Sequence, residues 1–310
     1  MTKEKVPEKE KALVKEKIPA KELYGKAVTN SPIEPTDTQN LQYITTGFNT
    51  LSKCRHGWML YHTADQYIGR GLKKYGEFSE GEVALFHQVL RPGDLVLEAG
   101  ANFGAHTVAM AQIVGEQGCI IAFEPQRLVF QAMVANVALN SLLNVVTVQA
   151  GLGAQSGVIK VPVLNPAKGL NFGGFNISNH STGEDVPVQT MDSLNLNRCR
   201  LIKVDVEGME CEVLEGAKNT IVRLRPVLYV ENDRAEHSQR LIALIQSFGY
   251  RLWWHLPRMF NPSNFQGDSE NIFGNIVSVN MLCLPQEMQT VVYLPEIKTP
   301  QDNWRNAGKA

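Results

Sequence analysis

Charge of one sign is missing from this sequence. Thirty lysines and arginines face 31 aspartates and glutamates over 310 residues, a formal net charge of −1. A balanced chain carries no global basic field, which argues against a nucleic-acid binder. Paired cysteines are missing too. The five present (Cys54, Cys119, Cys199, Cys211, Cys283) are scattered, odd in number and without a CxxC spacing. That excludes a disulfide frame or a cysteine-based zinc site and fits reduced thiols in a reducing compartment. No uninterrupted apolar run approaches the roughly 20 residues a membrane span needs, and the first residues lack the apolar stretch of a signal peptide. The expectation is a cytoplasmic protein with no membrane insertion and no nucleic-acid partner, and with an oligomeric state that the sequence leaves open.

Large apolar residues are also scarce up to about residue 40, where "TKEKVPEKEKALVKEKIPAKE" interleaves Lys, Glu and Pro. Such a segment cannot bury a core and is expected to be a disordered, solvated tail over 1–40. Residues 41–90 read as an extension that packs on the core, a hairpin around "HGWMLYHTADQYIG" followed by a helix. Ser79 with Glu82 three residues on predicts a capping box at that helix, and Val83, Phe86 and Leu90 then share one face.

From 91 to 292 apolar runs alternate with helix-length segments. The strands are "LVLEAG", "CIIAFEP", "VVTVQAG", "LIKVDVEG", "PVLYVEN" and "YRLWWHL"; helices are expected near 105–114, 127–139 and 209–222 and over "SQRLIALIQSFG". Continuous apolar strands separated by helices imply a parallel sheet covered on both faces. "NIVSVNMLCLP" arrives with no crossover helix before it and is expected to run antiparallel. The fold class is α/β, a doubly wound, Rossmann-like, mostly parallel sheet with a reversed last strand. Residues 293–310 read as a C-terminal tail.

The first strand leads into Glu98-Ala-Gly100-Ala-Asn102-Phe-Gly104. In such sheets ligands bind beyond the carboxyl ends of the strands, where the order reverses, against the backbone N–H groups of the turn. The spacing is G-x-x-x-G, with Asn102 where the dinucleotide turn G-x-G-x-x-G needs a glycine to admit a pyrophosphate. Asn tolerates the left-handed conformation, so the turn forms, but its side chain crowds that phosphate. No Gly-Lys-Ser/Thr follows, which excludes a P-loop. Glu98 suits an amino group rather than a phosphate, and Glu124, ending the second strand, can accept hydrogen bonds from ribose hydroxyls. Each acid alone could equally cap a turn; together they favour S-adenosylmethionine.

The run acid-x-Gly-Ala-Asn-x-Gly-x-His-Thr, then "AFEP", then "KVDVEGMECEVLEGA" resembles the FkbM-type methyltransferases of the class I S-adenosylmethionine-dependent superfamily. "YIGRGLKKYGEFSEGE", "NPSNF" and "VNMLCLP" extend the likeness over about 58–285. The resemblance implies a seven-stranded sheet whose last strand is antiparallel. It also implies that Glu98, Gly100, Asn102 and Gly104 hold the methionine part of the cofactor; Phe103 is a further cofactor-binding candidate, and His106, in the first turn of the following helix, is close enough to touch the cofactor. Glu124 would take its ribose, Gly151 and its neighbours would lie beside adenine, and Asp205 near the reactive end.

Methyl transfer to a hydroxyl needs alignment and a group that removes a proton. Asp205 closes the fourth parallel strand, and Glu207, two residues on, projects to the same side if the strand continues; a helix cap is the plainer role for Asp205. Glu231 and Asn232 end the next strand. With Asp205 they resemble the magnesium site of catechol-type O-methyltransferases, although Glu-Asn replaces Asp-Asn, and magnesium stays only a possibility. His255, beyond a strand end, is a candidate base because a histidine titrates near working pH. His62 is balanced between a functional and a structural role, while His56, His87, His180 and His237 read as structural. Two segments look like substrate walls: a polar insertion near 165–187 and an aromatic–amide stretch near 253–272, where Trp253 reads as core. The expected activity is O-methylation of a sugar, glycan or other small-molecule hydroxyl. A nicotinamide-dependent oxidoreductase and a non-catalytic binding module are the alternatives.

Overall fold

The computed structural model describes residues 43–172, 174 and 180–307, so the expectation for the charged tail lies outside the described residues. The chain first forms a three-stranded antiparallel sheet, β1 (Tyr43–Thr46), β2 (Asn49–Cys54) and β3 (Gly57–His62). Helices α1 (Ile68–Tyr75) and α2 (Glu80–Val89) follow. The extension is therefore one strand and one helix richer than its sequence suggested.

Ser79 and Glu82 do not make the expected capping box. Ser79 adopts a left-handed conformation (φ 49°) and its hydroxyl donates to the Glu82 carboxylate at 2.7 Å. Both residues are buried, so the two side chains satisfy each other instead of the helix backbone.

The central sheet then builds in alternation: β4 (Leu95–Ala99), α3 (Ala105–Val114), β5 (Cys119–Phe123), α4 (Arg127–Leu139) and β6 (Val145–Val148). A small sheet of β7 (Gly151–Leu152), β8 (Gly157–Val161) and β9 (Glu184–Gln189) interrupts it. The chain returns with β10 (Leu201–Val204), helices α5 (Glu210–Glu215) and α6 (Lys218–Leu224), β11 (Val227–Glu231), α7 (Ala235–Ser247), β12 (Tyr250–His255), β13 (Asn280–Pro285) and β14 (Glu296–Ile297). The helix expected over 209–222 is two helices broken at Gly216, where a Cβ would lie 2.0 Å from the Gly153 carbonyl oxygen.

The eight-stranded order is β14-β12-β13-β11-β10-β4-β5-β6. β13 runs antiparallel between β11 and β12, as expected, and β14 adds a second reversed strand at the edge. The stretch read as a C-terminal tail thus supplies a strand. The order reverses between β4 and β10, which is where a doubly wound sheet opens a crevice.

Both faces of the sheet are covered, and this explains the unbroken apolar runs. Leu97, Ile202, Val204, Leu228 and Val230 pack on one face; Val96, Leu201 and Val227 pack on the other. Trp253 is buried in that second cluster, as its sequence setting suggested. Burial of each such side chain contributes about 1.5–3 kcal/mol.

Candidate active site

The second face carries a polar row near the carboxyl ends of the strands. Lys203 of β10 pairs in register with Glu98 of β4 and Tyr229 of β11, so the three side chains share one face. Glu82 of α2 and Thr107 of α3 complete the layer. Glu98 accepts from the Thr107 hydroxyl at 2.6 Å and lies 3.7 Å from Lys203 Nζ. All five residues are buried. Burial pushes the Glu98 carboxyl up to about 7, against the pull of Lys203 and Thr107. Burial pulls the Lys203 ammonium down, but Asp205, Glu98 and Glu82 together outweigh it, and the group sits above the ordinary lysine range.

Above this row opens a cavity of about 430 Å³, lined among others by Gly100, Asn102, Glu124, Lys203, Asp205 and Glu231. A volume in this range suits a small-molecule ligand. Its floor is the glycine turn. Gly100 has φ 79°, and a Cβ there would lie 1.8 Å from the Asp205 carbonyl oxygen; only glycine lets β10 end against this turn. Asn102 is left-handed (φ 51°), as its chemistry allows, and its side-chain oxygen accepts the Phe103 N–H at 2.7 Å.

Glu124 is 3% exposed. Its two oxygens each accept one backbone N–H, from Asn102 at 3.0 Å and Gln126 at 2.8 Å. Burial lifts its pKa to about 7 despite these donors. A carboxylate has about four acceptor positions, so capacity remains for ribose hydroxyls on the cavity side. A left-handed turn and a buried, half-used acid at one wall fit an adenosyl cofactor.

The opposite wall is acidic. Asp205, Glu207 and Glu231 bring one carboxylate oxygen each within 4.8 Å of one another. β10 ends at Val204, so strand alternation does not align the first two; Glu207 returns towards Asp205 through its own left-handed turn (φ 58°) and Gly208. Asp205 is no helix cap: Glu210 accepts the N–H groups of Val206 and Gly208 with its own carboxylate. Burial and then Asp205 lift Glu207 to about 8, opposed by the Arg234 guanidinium bonded to it. Glu231 is pushed well above the carboxylate range by burial, then by Asp205 and Glu207, and its Oε2 is buried without a partner. Three carboxylates suit a hard cation, but Lys203 and Arg234 already engage two of them. Asn232 turns away to donate to Met281 Sδ at 3.2 Å, so the acid–amide pair expected for magnesium does not converge.

His106 also lines the cavity. It is 7% exposed with Nε2 unpartnered, and burial, then Lys203, pull its pKa down to about 3. Five expected contacts are not at the cavity surface. Glu98 lies beneath the floor on Thr107 and Lys203. Phe103 is buried with Tyr61 and Val129. Gly151 pairs with Val188 in the small sheet. His255 is bonded through Nδ1 to the Tyr229 hydroxyl at 2.8 Å, and burial lowers its pKa. Gly104 starts α3 (φ 79°) without lining the cavity. His62 is buried among Phe48, Phe103 and Phe172. From the expected walls, Asn171 and Met259 reach the cavity.

Sequence reasoning missed Lys203, Glu82, Gln126 and Ser278, all of which line the cavity. The signal for Lys203 was present: a lysine in an otherwise apolar strand, two residues before Asp205.

Residues 98–252, half of the chain, match the family described as methyltransferase FkbM domain. Among solved structures, the chain is similar to methyltransferase FkbM of Methylobacillus flagellatus KT, at 17% identity and a TM-score of 0.41. The alignment covers 71% of this chain and 55% of that one. It is also similar to precorrin-6y C5,15-methyltransferase of Geobacter metallireducens GS-15, at 11% identity and a TM-score of 0.43, over 65% of this chain and 87% of that one. The family match runs through the glycine turn, Glu124 and the strand ends bearing Asp205, Glu207 and Glu231: the chain belongs to the FkbM methyltransferase family.

Proposed function

We propose that the protein transfers a methyl group from S-adenosylmethionine to a hydroxyl of a sugar, glycan or other small molecule. The observation that carries this reading is the placement of Asp205. It stands between the glycine turn and the acidic wall, with Oδ2 held by Lys203 at 3.1 Å and its side chain 36% exposed. No other member of the three-carboxylate group combines that exposure with a fixed buried anchor.

The cofactor, when bound, supplies an electrophilic methyl group on a sulfonium. The chain does the rest. Glu124 accepts from the ribose hydroxyls, and the Gly100–Gly104 turn lets the methionine part approach the backbone. Asp205 would hold the acceptor's hydroxyl and take its proton. Arg234 offsets the charge of Glu207, and Glu231, whose proton affinity burial raises, adds little negative charge beside that carboxylate. Alignment of two reactants in such a cleft supplies about 7–11 kcal/mol when geometry is near-attack.

The acceptor class draws support from the mixed wall of Tyr67, Phe78, Asn171, Met259 and Ser278. Aromatic faces beside amide and hydroxyl groups suit a ring bearing several hydroxyls. The test is transfer of an isotopically labelled methyl group to a panel of sugars, glycosides and simple alcohols, with Asp205→Ala as control. The reading expects a methyl ether on a hydroxylated acceptor and none with the variant. Labelled amines in place of ethers would overturn it.

A further inference from the structure

The polar insertion is fastened to the core around Phe172. The Phe172 N–H donates to Asp65 Oδ2 at 3.3 Å, and its carbonyl accepts from Gln126 Nε2 at 2.8 Å. The Phe172 ring is 1% exposed and meets His62 edge-on, with centroids 4.9 Å apart. Just before it, Gln66 donates through its backbone to Leu170 O at 3.1 Å and through its side chain to Gly169 O at 3.0 Å. Asn171, between these anchors, lines the cavity.

The two residues holding Phe172 come from different segments that border the cavity. Gln126 follows the cofactor acid, and its own N–H donates to Glu124 Oε1. Asp65 accepts the N–H groups of Tyr67 and Gly69 at the start of α1, where Tyr67 and Ile68 face the cavity. Gln126 thus has its backbone on the cofactor wall and its side chain on the acceptor wall.

We propose that Gln126 is a positioning residue that couples occupancy of the cofactor site to the acceptor wall through Phe172, with Asn171 as a specificity-determining contact. It rests on the reading that Glu124 receives the cofactor's ribose. Ligand on Glu124 holds that carboxylate, the carboxylate holds the Gln126 peptide, and the Gln126 amide holds Phe172. A wall ordered by the first ligand costs the second less to engage. Couplings of this kind change affinity by about 5- to 150-fold and act equally in both directions, so cofactor and acceptor each tighten the other's binding.

The test is amide hydrogen exchange on the full chain with and without S-adenosylhomocysteine, for the native protein, Gln126→Ala and the near-isosteric Gln126→Glu. Both variants keep the backbone N–H that Glu124 accepts, and both lose the donor to Phe172. In the native chain the ligand should slow exchange at 98–104 and, by roughly fivefold or more, at 169–172. In either variant, protection at 98–104 should persist while that at 169–172 is lost. Protection at 98–104 with no change at 169–172, or equal protection of 169–172 in the variants, would overturn the coupling alone. Protection at neither segment would overturn the cofactor reading and the coupling with it.

Discussion

Asp205 meets the cleft on a buried lysine: Lys203 Nζ lies 3.1 Å from its Oδ2, while the same ammonium sits 3.7 Å from Glu98 Oε1 beneath the floor. The lysine side chain is 3% exposed and that of Glu98 1%. One cation therefore serves a carboxylate of the site and a carboxylate of the core.

Lys203→Met should be strongly destabilising, because it leaves Glu98 buried without its counter-charge. Breaking a buried pair in this way costs about 3–5 kcal/mol. Adding Glu98→Gln to the variant should restore much of the loss. Chemical denaturation of the single and double variants checks this, and equal stability of the two would contradict it.

Glu124 predicts a pH signature in the ligand-free protein. Its folded pKa is raised to about 7, so between the ordinary glutamate value and 7 the native state binds more protons than the unfolded chain. Its contribution is fully present in acid and is lost as pH rises through 7. Glu124→Gln removes this penalty, so the variant should gain on the order of 3 kcal/mol relative to native on going from pH 4 to pH 8. Denaturation at both pH values reads the difference, and a pH-independent offset would refute the assignment.

Gly100 and Gly93 separate contact from backbone strain. Both have positive φ, 79° and 90°, but a Cβ on Gly93 meets nothing within 4 Å, whereas on Gly100 it meets the Asp205 carbonyl oxygen. Gly93→Ala should cost about 1–2 kcal/mol, the left-handed penalty alone. Gly100→Ala should cost several kcal/mol more or displace Asp205, and should weaken S-adenosylhomocysteine binding. Melting curves and titration of the two variants test the contrast.

His255→Ala should keep turnover within about tenfold, since the ring is bonded to Tyr229 and stands off the cavity; loss of a catalytic proton acceptor typically costs 10²–10⁴-fold. A loss in that larger range would restore the histidine as the base.

The sheet was legible because its strands are apolar on both faces and its helices lie where the runs break. α3 and α4 fall on their expected bounds, 105–114 and 127–139. The glycine turn was legible because backbone conformation restricts residue choice there. Long-range pairings were hidden. Nothing local in "LEAG" says that Glu98 faces Lys203 across a parallel register, so it read as a ligand contact when it is a floor strut. His255 and Gly151 were misplaced for the same reason: a strand-end position does not say which way a side chain turns. Asp205 and Glu207 converge as expected, but through a left-handed turn that alternation along a strand does not foresee.

The central claim is the cofactor, and calorimetric titration of the purified protein and a Glu124→Ala variant tests it most directly. S-adenosylmethionine and S-adenosylhomocysteine should bind the native chain with Kd on the order of micromolar, both more weakly in the variant, and NAD should not bind. Binding of NAD without the adenosyl ligands, or adenosyl binding indifferent to Glu124, would contradict the account.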